Sequence, residues 1–237
     1  MNIRFSELKQ AMMAQMDRNS VVANNLANVN SNGYKRDVVF SELVKGKEID
    51  QSKRLMETDF SQGTLTPTNN PLDLALSGDG FFVIENGDEL AYTRDGHFNR
   101  GPDGVLRTAS GHPVLGETGW IDVGLGNDSL GEVSVSQNGD VFVNGEFIDR
   151  LALARFENNE GLQKIGGNLY SASRDAYDLG IEDTTVIQGK IEGSNVTAVT
   201  EMVDLIELQR NFETTQKVLR TLDQALSKAG STIGNYK

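Results

Sequence analysis

Leu205-Ile206-Glu207-Leu208-Gln209-Arg210-Asn211-Phe212-Glu213-Thr214-Thr215-Gln216-Lys217-Val218-Leu219-Arg220-Thr221-Leu222-Asp223-Gln224-Ala225-Leu226 decides the reading of the chain. Leu205, Leu208, Phe212, Thr215, Leu219, Leu222 and Leu226 recur at alternating steps of three and four, the spacing of a heptad seam. Residues 196–229 contain neither Gly nor Pro, so one long helix is predicted there. Asn195 stands just before it as the expected N-cap, because its side-chain oxygen can accept a free backbone N–H. The same spacing returns near the start, through Phe5, Leu8, Met12, Gln15, Asn19, Val22, Leu26 and Val29, with two polar interruptions. A helix over 4–28 follows, and Asn30-Ser31-Asn32-Gly33 is a suitable exit from it.

Between the helices the pattern changes. Residues 37–70 show little periodicity and read as an extended linker, with room for a short helix near Phe40–Val44. From Leu72 to about Ile191 the signal is β. Phe81-Phe82-Val83-Ile84 is a short apolar run between turn residues, and Leu151–Phe156 is a further candidate strand. Val133-Ser134-Val135-Ser136 alternates, then Asn138-Gly139 and Asn144-Gly145 separate two more apolar runs. Asn-Gly pairs favour tight turns between paired strands, so 133–148 is predicted to be a β meander. The expected fold is a mostly β central domain with long N- and C-terminal α-helices that pair, α+β overall. Its divisions are an N-terminal helix (1–36), the linker (37–70), a β-rich domain (71–193) and a C-terminal helix (194–237).

Charge divides along the same lines. The net charge of −12 over 237 residues is uneven. Residues 1–36 hold five basic and two acidic side chains, residues 194–237 five of each, and residues 37–193 twelve basic against twenty-seven acidic. The acidic surplus belongs to the middle, which should face solvent, while the near-neutral ends can pack closely. Acidic surfaces also simply aid solubility. Nucleic-acid binding is disfavoured, because phosphate contacts need a basic patch. No apolar run approaches the roughly 20 residues of a bilayer span. Met1-Asn2-Ile3-Arg4-Phe5 is not followed by an uninterrupted apolar stretch, so no cleaved secretory signal is expected. With no cysteine, thiolate chemistry is excluded.

Several motifs occur in a recognisable order. Asn24-Asn25-Leu26-Ala27-Asn28-Val29 precedes Gly33-Tyr34-Lys35-Arg36. Pro71-Leu72-Asp73-Leu74-Ala75-Leu76 precedes Gly78-Asp79-Gly80-Phe81-Phe82-Val83. Tyr92-Thr93-Arg94-Asp95-Gly96-His97-Phe98 and Gly111-His112-Pro113-Val114-Leu115-Gly116 come next. Gln188-Gly189, Glu192-Gly193-Ser194-Asn195-Val196, Glu201-Met202-Val203 and Gln209-Arg210 complete the set. Together these motifs cover nearly the whole chain and resemble the bacterial flagellar rod and hook protein family.

The resemblance implies a structural subunit of the basal-body rod, with terminal helices in an inner coiled-coil tube and the β domain outside. It implies location in the flagellar basal body, within the cell envelope. The implied partners are other rod proteins, copies of the chain itself and the flagellar type III export apparatus. No cofactor, no nucleic acid and no small-molecule substrate is implied, and no catalytic or metal site. Length and the stretch from Val143 to Leu151 resemble the proximal-rod member more than the distal one. Ala11-Met12-Met13 stands where the family commonly has a small-residue segment with Gly before a Met.

The expected assembly residues are Leu8, Val22, Leu26, Leu205, Leu208, Phe212, Leu219, Leu222 and Leu226. A seam of this size cannot by itself offset the entropy of ordering so long a helix. The apolar Val199, Val203, Ile206 and Val218 off the seam therefore mark a second face needing cover. Both terminal helices are expected to be loosely ordered in a free monomer. Gln15 and Asn19 either fix the register of a buried seam or face water. The Asn24–Asn28 cluster either serves assembly or satisfies backbone groups at a helix end.

His97 and His112 are the only histidines, and without cysteine they do not make a zinc set; His97 reads as a β-turn flank. Gly78-Asp79-Gly80 lacks the spacing of a phosphate loop, and the Asp-Gly pairs lack the order of a calcium loop. Trp120 and the Phe81-Phe82 pair are expected core or interface anchors. Two rival readings are a β-rich adhesion module on a coiled-coil stalk and a polysaccharide-acting enzyme built on paired carboxylates.

Overall fold

In chain order the elements are α1 (Asn2–Ala27), β1 (Asp37–Phe40), β2 (Leu55–Thr58), β3 (Leu65–Pro67), β4 (Leu74–Ser77), β5 (Phe81–Asn86), β6 (Glu89–Thr93), β7 (Phe98–Arg100) and β8 (Leu106–Thr108). They continue with β9 (Val133–Val135), β10 (Asp140–Val143), β11 (Glu146–Arg150), β12 (Leu153–Ala154), β13 (Leu162–Gly166), β14 (Leu169–Ala172), β15 (Thr185–Gln188), β16 (Lys190–Glu192) and α2 (Ala198–Gly234). The computed structural model describes residues 2–40, 55–124, 132–156, 159–172 and 184–234. The fold is mostly β with a helix at each end, as its sequence pattern predicts. It separates into two units: one contains residues 1–27, 37–56 and 197–237, the other residues 28–36 and 57–196.

The β unit is built on a five-stranded sheet of order β12-β5-β6-β14-β13. Its interior strand β5 is buried on both faces over Phe81–Ile84. Phe82 and Ile84 point into a core with Leu74, Leu76, Phe98, Val114, Ile121, Val141 and Leu151. Phe81 and Val83 point the other way, into a cluster with Phe156 and Tyr170. Successive strand residues alternate faces, so a continuous apolar run needs cover on both sides. On the second face the rings of Phe60, Phe81, Phe156 and Tyr170 meet with centroids 5.3–5.9 Å apart. Trp120 is half exposed, and its Nε1 donates to Glu85. The Phe81-Phe82 pair lies in the core, but the tryptophan anchors nothing within it.

The predicted meander is present as a sheet of order β11-β10-β9. Its β10–β11 turn places Asn144 at φ 54° and Gly145 at φ 83°. Both values lie in the left-handed region that a two-residue hairpin turn demands, which asparagine and glycine tolerate best. Of the candidate strand at Leu151–Phe156, only Leu153–Ala154 is strand, paired with Phe82 and Phe81. The stretch 37–70, read as an extended linker, carries β1, β2 and β3. β1 and β2 pair with each other, while β3 pairs with the distant β16, Thr66 opposite Ile191. Local periodicity over three or four residues could not reveal that. Phe40 ends a strand, and the remainder of the short helix expected at Phe40–Val44 lies outside the described residues.

In the helical unit Val21, Val22, Asn25, Glu201 and Leu208 are buried. Asn25 Oδ1 accepts from Asp37 N at 3.0 Å, and Asn25 Nδ2 donates to Asp37 O at 2.9 Å. The same Nδ2 lies 3.4 Å from Glu201 Oε2, so α1 and α2 meet here. The asparagine thus satisfies both backbone groups of the first residue of β1, a buried polar group with its bonds made.

Candidate functional site

The structure distributes the expected seam residues unevenly. Val22 and Leu208 are buried, and Leu26, Leu205, Phe212 and Leu219 are half-buried. Leu8, Leu222 and Leu226 sit on helical backbone, but their side chains lie outside the described residues. Gln15 is half-buried and Asn19 is exposed, so Asn19 faces water in the single chain.

Off the seam, Val199 is 71% exposed, Met202 50%, Val203 57% and Ile206 51%. Positions i, i+3, i+4 and i+7 share one face of a helix, so these four form a continuous apolar stripe on the first turns of α2. Val218, 45% exposed, lies twelve residues farther along α2 and off this stripe. Met13 and Met16 are exposed on α1. Large side chains left in water at helical spacing make the α2 stripe a candidate contact face.

A second arrangement lies in the β unit, where the segment after α1 meets the segment before α2. Lys35 and Glu192 have fully buried side chains, and Lys35 Nζ donates to Glu192 Oε1 at 2.7 Å. Arg94, also buried, donates through Nη1 to Glu192 Oε2 at 3.3 Å. Gly63 N donates to Glu192 Oε1 at 2.8 Å. Lys35 Nζ finds a second acceptor in Ser61 O at 2.7 Å, and Arg94 Nη2 in Gly78 O at 2.8 Å. One carboxylate is shared by two cations, and the residues come from three remote parts of the sequence.

Electrostatics follows from that burial. Desolvation lowers the pKa of Lys35, and the Glu192 charge only partly opposes it. Arg94 is likewise lowered by desolvation, against the pull of Glu192. A buried ion pair is weak evidence for stability, but removing one partner leaves an uncompensated charge and costs about 3–5 kcal/mol. Glu192 is the member whose loss would strand two cations.

Around this triad the backbone is tied as well. Gly33 N donates to Glu192 O at 2.8 Å, and Asn195 N to Tyr34 O at 3.4 Å. Lys164 Nζ donates to Lys35 O at 2.6 Å and sits 4.5 Å from the centre of the Tyr34 ring. Asn168 Nδ2 donates to Asn32 O at 2.9 Å. Gly63 permits the close approach of the chain to Gly193: a Cβ at residue 63 would stand 2.1 Å from Gly193 O.

Asn195 corrects a sequence expectation. It does not cap α2, which begins at Ala198 with Glu201 N bonded to Thr197 O. Asn195 Oδ1 instead accepts from Arg36 N at 2.7 Å, and Nδ2 donates to Asp59 O at 2.8 Å. The chemistry that suits asparagine to a cap suits it equally to bridging two chain segments. His97 does flank a turn: its backbone N donates to Asp95 Oδ1, and its Nδ1 lies 2.8 Å from Asp73 Oδ1.

Three family profiles match the chain. "Flagella basal body rod protein" covers residues 8–35, "Flagellar hook protein FlgE/F/G D1 domain" residues 75–143, and "Flagellar basal body rod FlgEFG protein C-terminal" residues 187–232. Lys35, Arg94 and Glu192 fall one in each. The chain is 35% identical to "Flagellar basal-body rod protein FlgG" of Buchnera aphidicola subsp. Schizaphis graminum, over 93% of this chain and 95% of that protein. It is 36% identical to "Flagellar basal-body rod protein FlgF" of Caulobacter vibrioides, over 90% and 91%. "Flagellar basal-body rod protein FlgG" of Bacillus subtilis is 32% identical, over 88% and 90%.

Proposed function

The chain belongs to the flagellar basal-body rod protein family, a structural subunit of the rod, and from that premise we propose how its helices build the assembly. The terminal helices α1 and α2 pair within each copy along the Leu205–Leu226 seam and Leu8, Val22 and Leu26. The outer stripe Val199-Met202-Val203-Ile206 then packs against neighbouring copies and adjoining rod proteins. The acidic surplus of the β unit suits it to face solvent, and the assembled helices transmit torque. The subunit works without a catalytic site or cofactor, and it reaches the basal body through the flagellar export apparatus.

The observation that carries this reading is the exposed stripe on α2. Its four side chains are 50–71% exposed, so covering the stripe completely contributes about 3–7 kcal/mol together. Association costs about 4–15 kcal/mol in lost freedom. A single pairing is therefore weak, and a copy is held firmly only when several neighbours cover it at once. That fits a monomer that polymerises on a growing structure better than a coiled-coil stalk with a fixed dimer or trimer.

Identity to FlgG-named and FlgF-named relatives is nearly equal, 35% and 36%. The proximal rod is the position we assign, on the stretch from Val143 to Leu151. The test is electron microscopy of basal bodies from a strain lacking this gene and complemented with wild type or Val203→Asp. Loss of the gene should stop the rod in its proximal part. Val203→Asp should leave the purified monomer folded, because the position is already in water, yet fail to restore rods. Normal rods with Val203→Asp would overturn the stripe as the interface, and a rod that stops only in its distal part would overturn the proximal assignment.

A further inference from the structure

Lys35, Arg94 and Glu192 do something that packing of the helices does not explain. The segments they tie are short. Residues 28–36 follow α1 directly, and residues 193–196 lead directly into α2. Both lie within the β unit rather than with the helices they serve. Each is held by contacts of a kind seldom spent on a loop. The first has the Lys35 ion pair, Gly33 N on Glu192 O, Asn168 on Asn32 O and Lys164 on Lys35 O. The second has Asn195 bonded to Arg36, Tyr34 and Asp59. Loops ordinarily run over the surface and tolerate motion. Here the two helix roots share one buried carboxylate.

We propose that the Lys35–Glu192–Arg94 triad is the mechanical joint of the subunit, clamping both helix roots to the β unit so that load on the helices reaches the body. This rests on the rod reading above. The joint resists separation because opening it breaks several charge-assisted hydrogen bonds at once. A hydrophobic contact at the same place would yield gradually by sliding, since apolar contact is not directional. A charged bond with two fixed acceptors per cation holds one geometry until it breaks. Lys35 and Arg94 each have a second, backbone acceptor, Ser61 O and Gly78 O, so neither can swing away without losing both.

Two variants test this. Lys35→Gln removes a cation but leaves the Arg94–Glu192 pair intact, and is the one expected to fold; Glu192→Gln strands both cations and is the severe case. Hydrogen exchange on the purified full chain comes first. Lys35→Gln should accelerate exchange of amides in residues 31–36 and 190–196 at least tenfold, with β5 and β6 amides unchanged. Uniform loss across β5 and β6 would make the triad ordinary core, and no change anywhere would remove it as a clamp; either overturns the proposal. The second arm is swimming of the complemented deletion strain. Lys35→Gln should give basal bodies in wild-type number and wild-type speed in dilute buffer, with at least a twofold deficit relative to wild type in viscous medium. Wild-type speed under load would overturn the joint, and so would failure to build rods, which would assign the triad to assembly. A deletion strain that still builds complete rods would refute the rod reading itself, independently of both variants.

Discussion

Asn195 Oδ1 accepts a hydrogen bond from Arg36 N at 2.7 Å, joining two residues 159 positions apart. Its amide nitrogen reaches Asp59 O and Ser61 Oγ on a third segment. Asn195→Ala leaves Arg36 N without this acceptor in a part-buried place, so it should cost about 1–3 kcal/mol. Because Asn195 does not cap α2, helix content should stay at the wild-type level. Urea denaturation read by near-UV signal, with far-UV ellipticity at 222 nm as the control, separates the two effects.

Gly63 and Gly145 make a matched pair for a second prediction. A Cβ at residue 63 would lie 2.1 Å from Gly193 O, whereas one at residue 145 meets nothing within 4 Å. Gly145→Ala therefore incurs only the left-handed backbone cost at φ 83°, about 1–2 kcal/mol. Gly63→Ala must push two backbones apart and break the Gly63 N bond to Glu192, so it should exceed that cost by at least about 2 kcal/mol. Thermal melts of both variants check the order; equal costs would contradict the close approach.

Burial raises the carboxyl pKa of Asp95, with the His97 contacts opposing and the Asp73 charge assisting. The folded chain then holds this proton more tightly than the unfolded chain, whose carboxyl titrates near 3.8. Its stability contribution is full below 3.8 and is lost as pH rises through the raised folded value. Asp95→Asn keeps an oxygen to accept from His97 N and removes the buried charge. The variant should be more stable than wild type at pH 7, with the advantage fading as pH falls through the raised folded value and gone below 3.8. Denaturation midpoints across pH 3–7 test it.

Leu208→Ala and Val203→Ala should differ in the isolated chain. Leu208 is 7% exposed, so truncation leaves a cavity and costs the helical unit about 2–3 kcal/mol. Val203 is 57% exposed, and its truncation should change monomer stability by less than about 0.5 kcal/mol. Exchange of α2 amides in the two variants reads the difference directly.

The parts of this molecule that were legible in the sequence are those whose causes are local. The heptad spacing gave α2, and Asn144-Gly145 gave the β10–β11 hairpin, because a turn needs only its own two residues. The Lys35–Glu192 pair was not legible: its members are 157 positions apart, and a lone lysine in Gly33-Tyr34-Lys35-Arg36 carries no sign of being buried. Strands β1–β3 are each too short to show a period, and β3 takes its partner β16 from the far end of the chain. Asn195 was misread because one side chain satisfies two different local rules. The stripe Val199-Val203-Ile206 was visible as leftover apolar residues, but only the folded chain separates what the seam covers from what stays in water.

Trp120 is the only indole in the chain, and it sits half in water on the β unit with its N–H held by Glu85. Its emission is therefore a private reporter of that unit. Ultraviolet excitation of the indole will follow melting of the sheet and stay blind to the helices, while ellipticity at 222 nm is dominated by α1 and α2. Two optical channels in one cuvette can thus follow the β unit and the two helices separately as each unfolds, without any added label.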